Sequence, residues 1–248
     1  MSKIRTMSET LANKIAAGEV VERISSVVKE CIENSIDAGA QNIKVELLDA
    51  GKKQIKIIDD GCGMDREDAC NAFKRHATSK LYKDDDLFFI NTLGFRGEAL
   101  PSIASVSEVV LETFDGDVGT SVHIKGGETL EVGVAPSRKG TTISISNLFY
   151  NTPARLKYLR SEPSELSNVT QFLERLALSY PKISFVLANN GAVTLRTSGS
   201  GVLLKTIHEV YGSTVSSNML EIKGSNDDYD ISGYISKPIV QRSNRNFM

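Results

Sequence analysis

Glu30, Asn34 and Asp37 stand four and three residues apart. On a helix turning about 100° per residue they fall within roughly 60° of one another. Three oxygen-bearing side chains then share one face. Val28, Cys31, Ile32 and Ile36 form an apolar face opposite, able to seal against a sheet. Such a helix offers its polar side to a ligand, and four further segments suggest what that ligand carries. Asp59-Asp60-Gly61-Cys62-Gly63-Met64 follows an apolar strand end. Gly61 and Gly63 let the backbone approach a flat ligand closely, and a partly buried Asp59 carboxylate can accept a hydrogen bond from an exocyclic amine such as that of adenine. Gly94-Phe95-Arg96-Gly97-Glu98-Ala99-Leu100 is a glycine-rich turn opening into a helix. Its free N–H groups and the positive end of the helix dipole make a phosphate cradle. Thr78-Ser79-Lys80 supplies two hydroxyls and an ammonium, suited to phosphate oxygens. Gly140-Thr141-Thr142 begins a strand from which a threonine hydroxyl can reach a base edge.

Each segment also has a plainer reading. Asp-Gly-x-Gly fits a hairpin with an acidic tip, and the 94–100 segment a tight loop before a core helix. Thr78-Ser79-Lys80 fits a solvated turn, and Gly140-Thr141 an ordinary strand start. The glycine loop is neither GxxxxGK[ST] nor GxGxxG, which excludes the two commonest phosphate-loop signatures.

The elements that must position these residues follow from periodicity and turn chemistry. Residues 8–17 read as a helix, with Gly18 ending it. Ser25 or Ser26 caps the next helix, which runs to about Asp37, with Gly39 as a left-handed terminator. Residues 43–47 and 54–58 alternate as half-buried strands about a turn at Asp49-Ala50-Gly51. Asp65 opens a helix to about Phe73. Residues 74–101 are irregular and long enough to be a lid or binding loop. Residues 99–105 form a helix despite Pro101, since proline is tolerated in a first turn. Strands separated by glycine turns fill 106–146, an amphipathic helix 163–179, and a hairpin 185–196. Ser198-Gly199-Ser200-Gly201 is a linker, followed by a helix at 202–211 and a strand at 229–235.

The chain has 248 residues, 40% of them hydrophobic and 24% charged, with a net charge of −2. Any contact with nucleic acid must therefore use a local patch. Arg155, Lys157 and Arg160 offer one, or simply a solvated helix start. Cys31, Cys62 and Cys70 are odd in number without CxxC spacing, and read as reduced thiols rather than disulfides or zinc ligands. No stretch approaches the roughly 20 apolar residues of a membrane span, so a cytoplasmic or nucleoid location is expected.

The order of these signals resembles the GHKL ATP-binding fold: Glu-x-x-x-Asn on a helix, Asp-x-Gly-x-Gly after a strand, a lid, a glycine turn before a helix, and Gly-Thr on a late strand. The spelling of residues 12–23, 33–40, 75–80, 94–100 and 149–155 resembles the MutL family of mismatch-repair proteins across essentially the whole chain. That resemblance implies an α/β, two-layer sandwich with a mixed, largely antiparallel sheet over residues 1–198. Residues 199–248 then begin an incomplete second α/β domain, ribosomal S5-like. It implies Glu30 as the general base, Asn34 as the magnesium ligand and Asp59 as the adenine-reading acid. Gly61, Gly63, Met64 and Thr141 line the base. Thr78, Ser79, Lys80 and the residues from Gly94 through Phe95, Arg96, Gly97, Glu98 and Ala99 to Leu100 meet the phosphates. Asp37 fits the same face, or only orients the helix end; His76 reads as structural or lid-forming.

The implied cofactors are ATP and Mg2+. The implied partners are a second copy of the chain on ATP binding, DNA bound largely without specificity, the mismatch-recognition protein MutS and downstream repair factors. ATP binding would order the lid, close a dimeric clamp and couple mismatch recognition to strand incision. Two departures stand out. A lysine that reaches the γ-phosphate in relatives lies beyond residue 248, which puts turnover by this chain in doubt. Ile24 replaces a proline common in relatives. The rivals are a type II topoisomerase ATPase subunit or chaperone of the same fold, and a non-catalytic matchmaker for which ATP is only a conformational ligand.

Overall fold

A computed structural model describes residues 7, 17–18, 20–80, 83 and 92–240. Residues 8–16 of the expected helix at 8–17, the acidic run at 84–86 and the last eight residues lie outside these. Helix α1 spans Ile24–Asp37. Its N-cap is Arg23, with no side-chain cap bond, so neither serine caps it as expected. Ile24 sits in the first turn, where a proline would also be tolerated. It is fully buried, and a Cβ added to Gly51 would lie 2.6 Å from its Cγ2. Burial of this side chain against the Gly51 turn sets the helix entry. At the other end Gly39 takes a positive φ of 74°.

Strands β1 (Asn42–Leu48) and β2 (Gln54–Asp59) pair antiparallel. A short helix α2 (Arg66–Asn71) follows, capped by the Asp65 side chain on the N–H of Asp68 at 2.8 Å. Helix α3 (Ala99–Ser105) precedes the antiparallel strands β3 (Glu108–Phe114), β4 (Thr120–Lys125), β5 (Glu128–Val134) and β6 (Gly140–Ser146). Then come α4 (Pro153–Tyr158), α5 (Glu162–Ser179), β7 (Ser184–Asn189) and β8 (Ala192–Arg196). The eight strands form one sheet in the order β5-β4-β3-β6-β2-β1-β7-β8. Only β1 and β7 run parallel, because α5 carries the chain back across the sheet. This is the expected α/β sandwich, mixed and largely antiparallel.

Alternation explains the two layers. Ile43, Val45 and Leu47 of β1, Ile55 and Ile57 of β2, and Val109 and Leu111 of β3 point to one buried face. Val28, Cys31 and Ile32 of α1 and Val169, Leu173 and Ala177 of α5 cover it. Burying each large aliphatic side chain contributes about 1.5–3 kcal/mol. The other face carries Lys44, Glu46 and Lys56, none of them buried. Beyond the Ser198-Gly199-Ser200-Gly201 stretch, α6 (Leu203–Tyr211) packs on α5 and β8, followed by α7 (Ser213–Ser216). Strands β9 (Met219–Ser225) and β10 (Asp230–Ser236) form a separate two-stranded sheet. No helix among the described residues is long and apolar enough to cross a membrane.

Candidate functional site

Two corners between α1 and the sheet carry most of the polar residues singled out by spacing. The first is built on Asp59, the last residue of β2. The buried row Ile55, Ile57, Asp59 turns its carboxylate toward the helix layer, where it is 5% exposed. Ser35 of α1 donates its hydroxyl to Oδ2 at 2.8 Å. The N–H groups of Gly61 and Thr141 donate to Oδ1 at 3.0 and 3.1 Å. A carboxylate has about four acceptor sites. Three are used among the described residues, which leaves a lone pair on Oδ2 for a donor from outside.

Strand register supplies the rest of this corner. Thr113 of β3 lies opposite Thr141 of β6, and their hydroxyls are 3.0 Å apart. The Met64 N–H donates to Thr113 Oγ1 at 2.9 Å. Arg138 donates to the Asp59 carbonyl at 2.9 Å and to Thr142 Oγ1 at 2.7 Å. Gly63 and Gly140 are required by space and by conformation. A Cβ on either would lie 2.2 Å from a backbone oxygen, that of Phe114 or of Asp59, and both have positive φ.

Asp60 faces the other way. Its Oδ1 accepts the N–H groups of Gln41 and Asn42 at 2.8 Å each, and its Oδ2 accepts Asn42 Nδ2 at 2.7 Å. Partial burial alone would raise its pKa, but the Asn42 amide and these two N–H groups outweigh it and hold the carboxyl below its ordinary value. Of two adjacent acids, one is buried toward the helix layer and the other, toward the exposed side, pins the start of β1.

The second corner lies near the C-terminal end of α1. Lys80 Nζ donates to Asn34 Oδ1 at 3.1 Å and to Asp37 Oδ2 at 2.5 Å. Asp37 also accepts the N–H of Leu93 on Oδ1 at 3.0 Å and that of Gly94 on Oδ2 at 3.1 Å. A Cβ on Gly94 would lie 3.4 Å from Lys80 Nζ and 3.6 Å from Asn34 Oδ1. Thr78 Oγ1 accepts the Lys80 N–H at 3.2 Å, with Ser79 between them in the chain. Glu30, one turn before Asn34, pairs with Lys29 at 3.3 Å. Lys29 also pairs with Glu33 at 3.3 Å. Beside Glu30, Cys31 is pushed up to about 12, by burial first and then by Glu30 and Asp59, so it is a neutral thiol near neutral pH.

The glycine loop is tied to the 75–77 turn. His76 Nδ1 lies 2.9 Å from Glu98 Oε1, and Arg75 Nε 3.9 Å from Glu98 Oε2. Gly97 lies close against the Ala77 backbone. Arg96 stacks on Phe95 with its guanidinium 5.5 Å from the ring centre. Ala99 opens α3, and Leu100 packs on the core. Arg155 turns toward Gly18, against which its guanidinium is tightly fitted.

Sequence reasoning missed Ser35, Thr113, Arg138 and Lys29. Ser35 was legible in principle, as a polar residue on the buried side of an otherwise apolar stripe. Thr113 and Arg138 reach the corner only through strand pairing. The hard oxygen donor of Asn34, with water and phosphate completing the shell, fits a magnesium ion.

Residues 22–126 match the family of histidine kinase-, DNA gyrase B- and HSP90-like ATPases. Over its full length the chain is 56% identical to the DNA mismatch repair protein MutL of Ligilactobacillus salivarius and 52% identical to that of Lactococcus lactis. Over 98% of its length it is 51% identical to that of Listeria monocytogenes. It spans only 38% to 40% of the length of these curated relatives. Among solved structures, the N-terminal domain of a DNA repair protein superposes with TM-score 0.76 at 25% identity, covering 91% of this chain and 71% of that one. The Aquifex aeolicus MutL ATPase domain complexed with ADP superposes with TM-score 0.65 at 28% identity, covering 83% of this chain and 73% of that one. The chain belongs to the MutL family of DNA mismatch repair proteins and has the GHKL ATPase fold of their ATPase domains.

Proposed function

We propose that this chain binds ATP with magnesium in the cleft between α1 and the sheet, and that the whole protein, which adds the second-domain lysine, hydrolyses the γ-phosphate there. The observation that carries this reading is the buried Asp59 carboxylate, held by Ser35, Gly61 and Thr141 with one acceptor site to spare. That site suits the exocyclic amine of adenine. Gly61, Gly63, Met64 and Thr141 flank the base. The ADP held by the Aquifex aeolicus relative supports the same ligand class.

Glu30 accepts the proton of the attacking water from a rigid helix, a contribution of about 10²–10⁴ in rate for a positioned base. Asn34 would hold magnesium, which supplies charge neutralisation at the phosphates when bound. Thr78, Ser79, Lys80 and residues 94–100 position the phosphates. Residues 1–198 form the ATP-binding domain, and 199–248 open the second. ATP orders the 74–101 lid, and two copies of the chain close into a clamp. In the whole protein this clamp, on DNA and with a mismatch-recognition partner, couples recognition to strand incision in the cytoplasm. The relatives' names support that wider role.

Calorimetric titration with a non-hydrolysable ATP analogue tests the reading. Magnesium-dependent binding of about one analogue per chain, lost in Asn34→Ala, is the expected outcome. A folded chain that ignores the analogue sinks it. Single-turnover hydrolysis by the whole protein should fall about 100-fold or more in Glu30→Gln, while analogue binding by this chain persists.

A further inference from the structure

The Lys80 corner holds a charge arrangement that nucleotide binding alone does not explain. Asn34 Oδ1 is the hard oxygen assigned above to a divalent ion, and it already faces a cation at 3.1 Å. That cation, the Lys80 ammonium, is 18% exposed and rests on an Asp37 carboxylate that is 8% exposed. The same carboxylate holds the backbone of Leu93 and Gly94, so Asp37 joins Lys80 to the start of the glycine loop. Gly94 packs directly over Asn34, Asp37 and Lys80, within 3.9 Å of all three for an added Cβ.

We propose that Lys80 is an exchangeable internal cation: its ammonium and a divalent ion compete for Asn34, and Asp37 is the positioning residue that holds the ammonium there. This rests on the reading of Asn34 as the metal ligand. Magnesium bonds oxygen at about 2.0–2.1 Å. An ion at that distance from Asn34 Oδ1 would meet the ammonium at close range, and like charges so placed disfavour each other. The ammonium must therefore leave Asn34 when the ion arrives. One consequence is discrimination: a divalent ion without nucleotide binds weakly, because nothing else is present to receive Lys80. The corner thus resists metal alone and accepts metal with a polyphosphate.

The test uses manganese as a paramagnetic stand-in, titrated into the chain without nucleotide, with free ion read by electron paramagnetic resonance. Lys80→Gln should bind manganese at least about tenfold tighter than the unsubstituted chain, while Lys80→Arg, which keeps the charge, stays within about threefold. In the unsubstituted chain, manganese should raise trace acetylation of Lys80 severalfold by mass spectrometry, a readout independent of any variant's folding. Equal manganese affinity in Lys80→Gln, or acetylation unmoved by manganese, overturns the proposal. The ATP-analogue titration on the same sample separates the two failures. Analogue binding with unchanged manganese affinities defeats only the competition, whereas no analogue binding defeats the functional reading and this proposal together.

Discussion

At the Asp59 corner the polar contacts run through strands and short side chains: a serine hydroxyl, two backbone N–H groups, paired threonines and a carbonyl gripped by Arg138. At the Lys80 corner one carboxylate gathers a long flexible side chain and two loop amides. The first corner inherits its geometry from the register β2·β6·β3, so a ligand meets donors and acceptors already in place. The second is held by charge, and charge can be exchanged. A site that must recognise a constant base and respond to a changing phosphate has reason to build its two ends differently, because preorganisation lowers the cost of binding at one and a switchable contact permits response at the other.

Substitutions that break the first corner should damage the fold as well as binding. Gly140→Val places a side chain against the Asp59 carbonyl at a φ of +91°. Its expected cost is about 3 kcal/mol or more of stability, measured by denaturant unfolding. Unfolding at the wild-type midpoint would show that the register is not what sets this corner. Asp59→Asn keeps the shape and removes the charge. Affinity for the ATP analogue should fall roughly 10- to 100-fold by calorimetry, the scale of a hydrogen bond to a charged group, with a loss of stability smaller than that of Gly140→Val because the amide puts a donor where the carboxylate accepted.

At the second corner the fold should be indifferent and the ion should not. Asn34→Ala is expected to abolish the magnesium dependence of analogue binding, while unfolding moves by less than about 1 kcal/mol. A stability loss as large as that of Gly140→Val would erase the contrast between the corners. The smallest effect belongs to Asp60. Its folded pKa is depressed, so the stability it contributes is present above its ordinary value near 3.8 and lost as pH falls through the lower folded value. Melting temperatures from pH 5 to pH 2 should fall less steeply in Asp60→Asn than in the unsubstituted chain. An identical acid limb would mean that Gln41 and Asn42 do not hold this carboxylate.

Much of this was legible in order. Helix α1 showed its two faces in 3.6-residue periodicity, and β1 and β2 showed theirs in alternation, because both patterns are local. The same locality misled at the helix start. Two serines offered caps, yet the chain enters at Arg23 because Ile24 is buried against the Gly51 turn, a contact between residues 27 apart. From sequence, Asp37 fits either the polar face of α1 or a helix end it orients; its work on Lys80, Leu93 and Gly94 spans 43 to 57 residues of chain.

Local pattern was enough for most of the elements up to the linker, the sheet's buried face and the choice of Asp59, Asn34 and Glu30 as site candidates, since each rests on spacing within one element or on one motif; α4, α7 and β9 were not legible in it. Only the tertiary structure decided which acceptor of Asp59 is left over, that Thr113 stands opposite Thr141, and that a lysine ammonium rests on Asn34. Those facts depend on strand register and on loops returning to a helix. Both are set by packing the whole sheet against its helices, which no local pattern encodes.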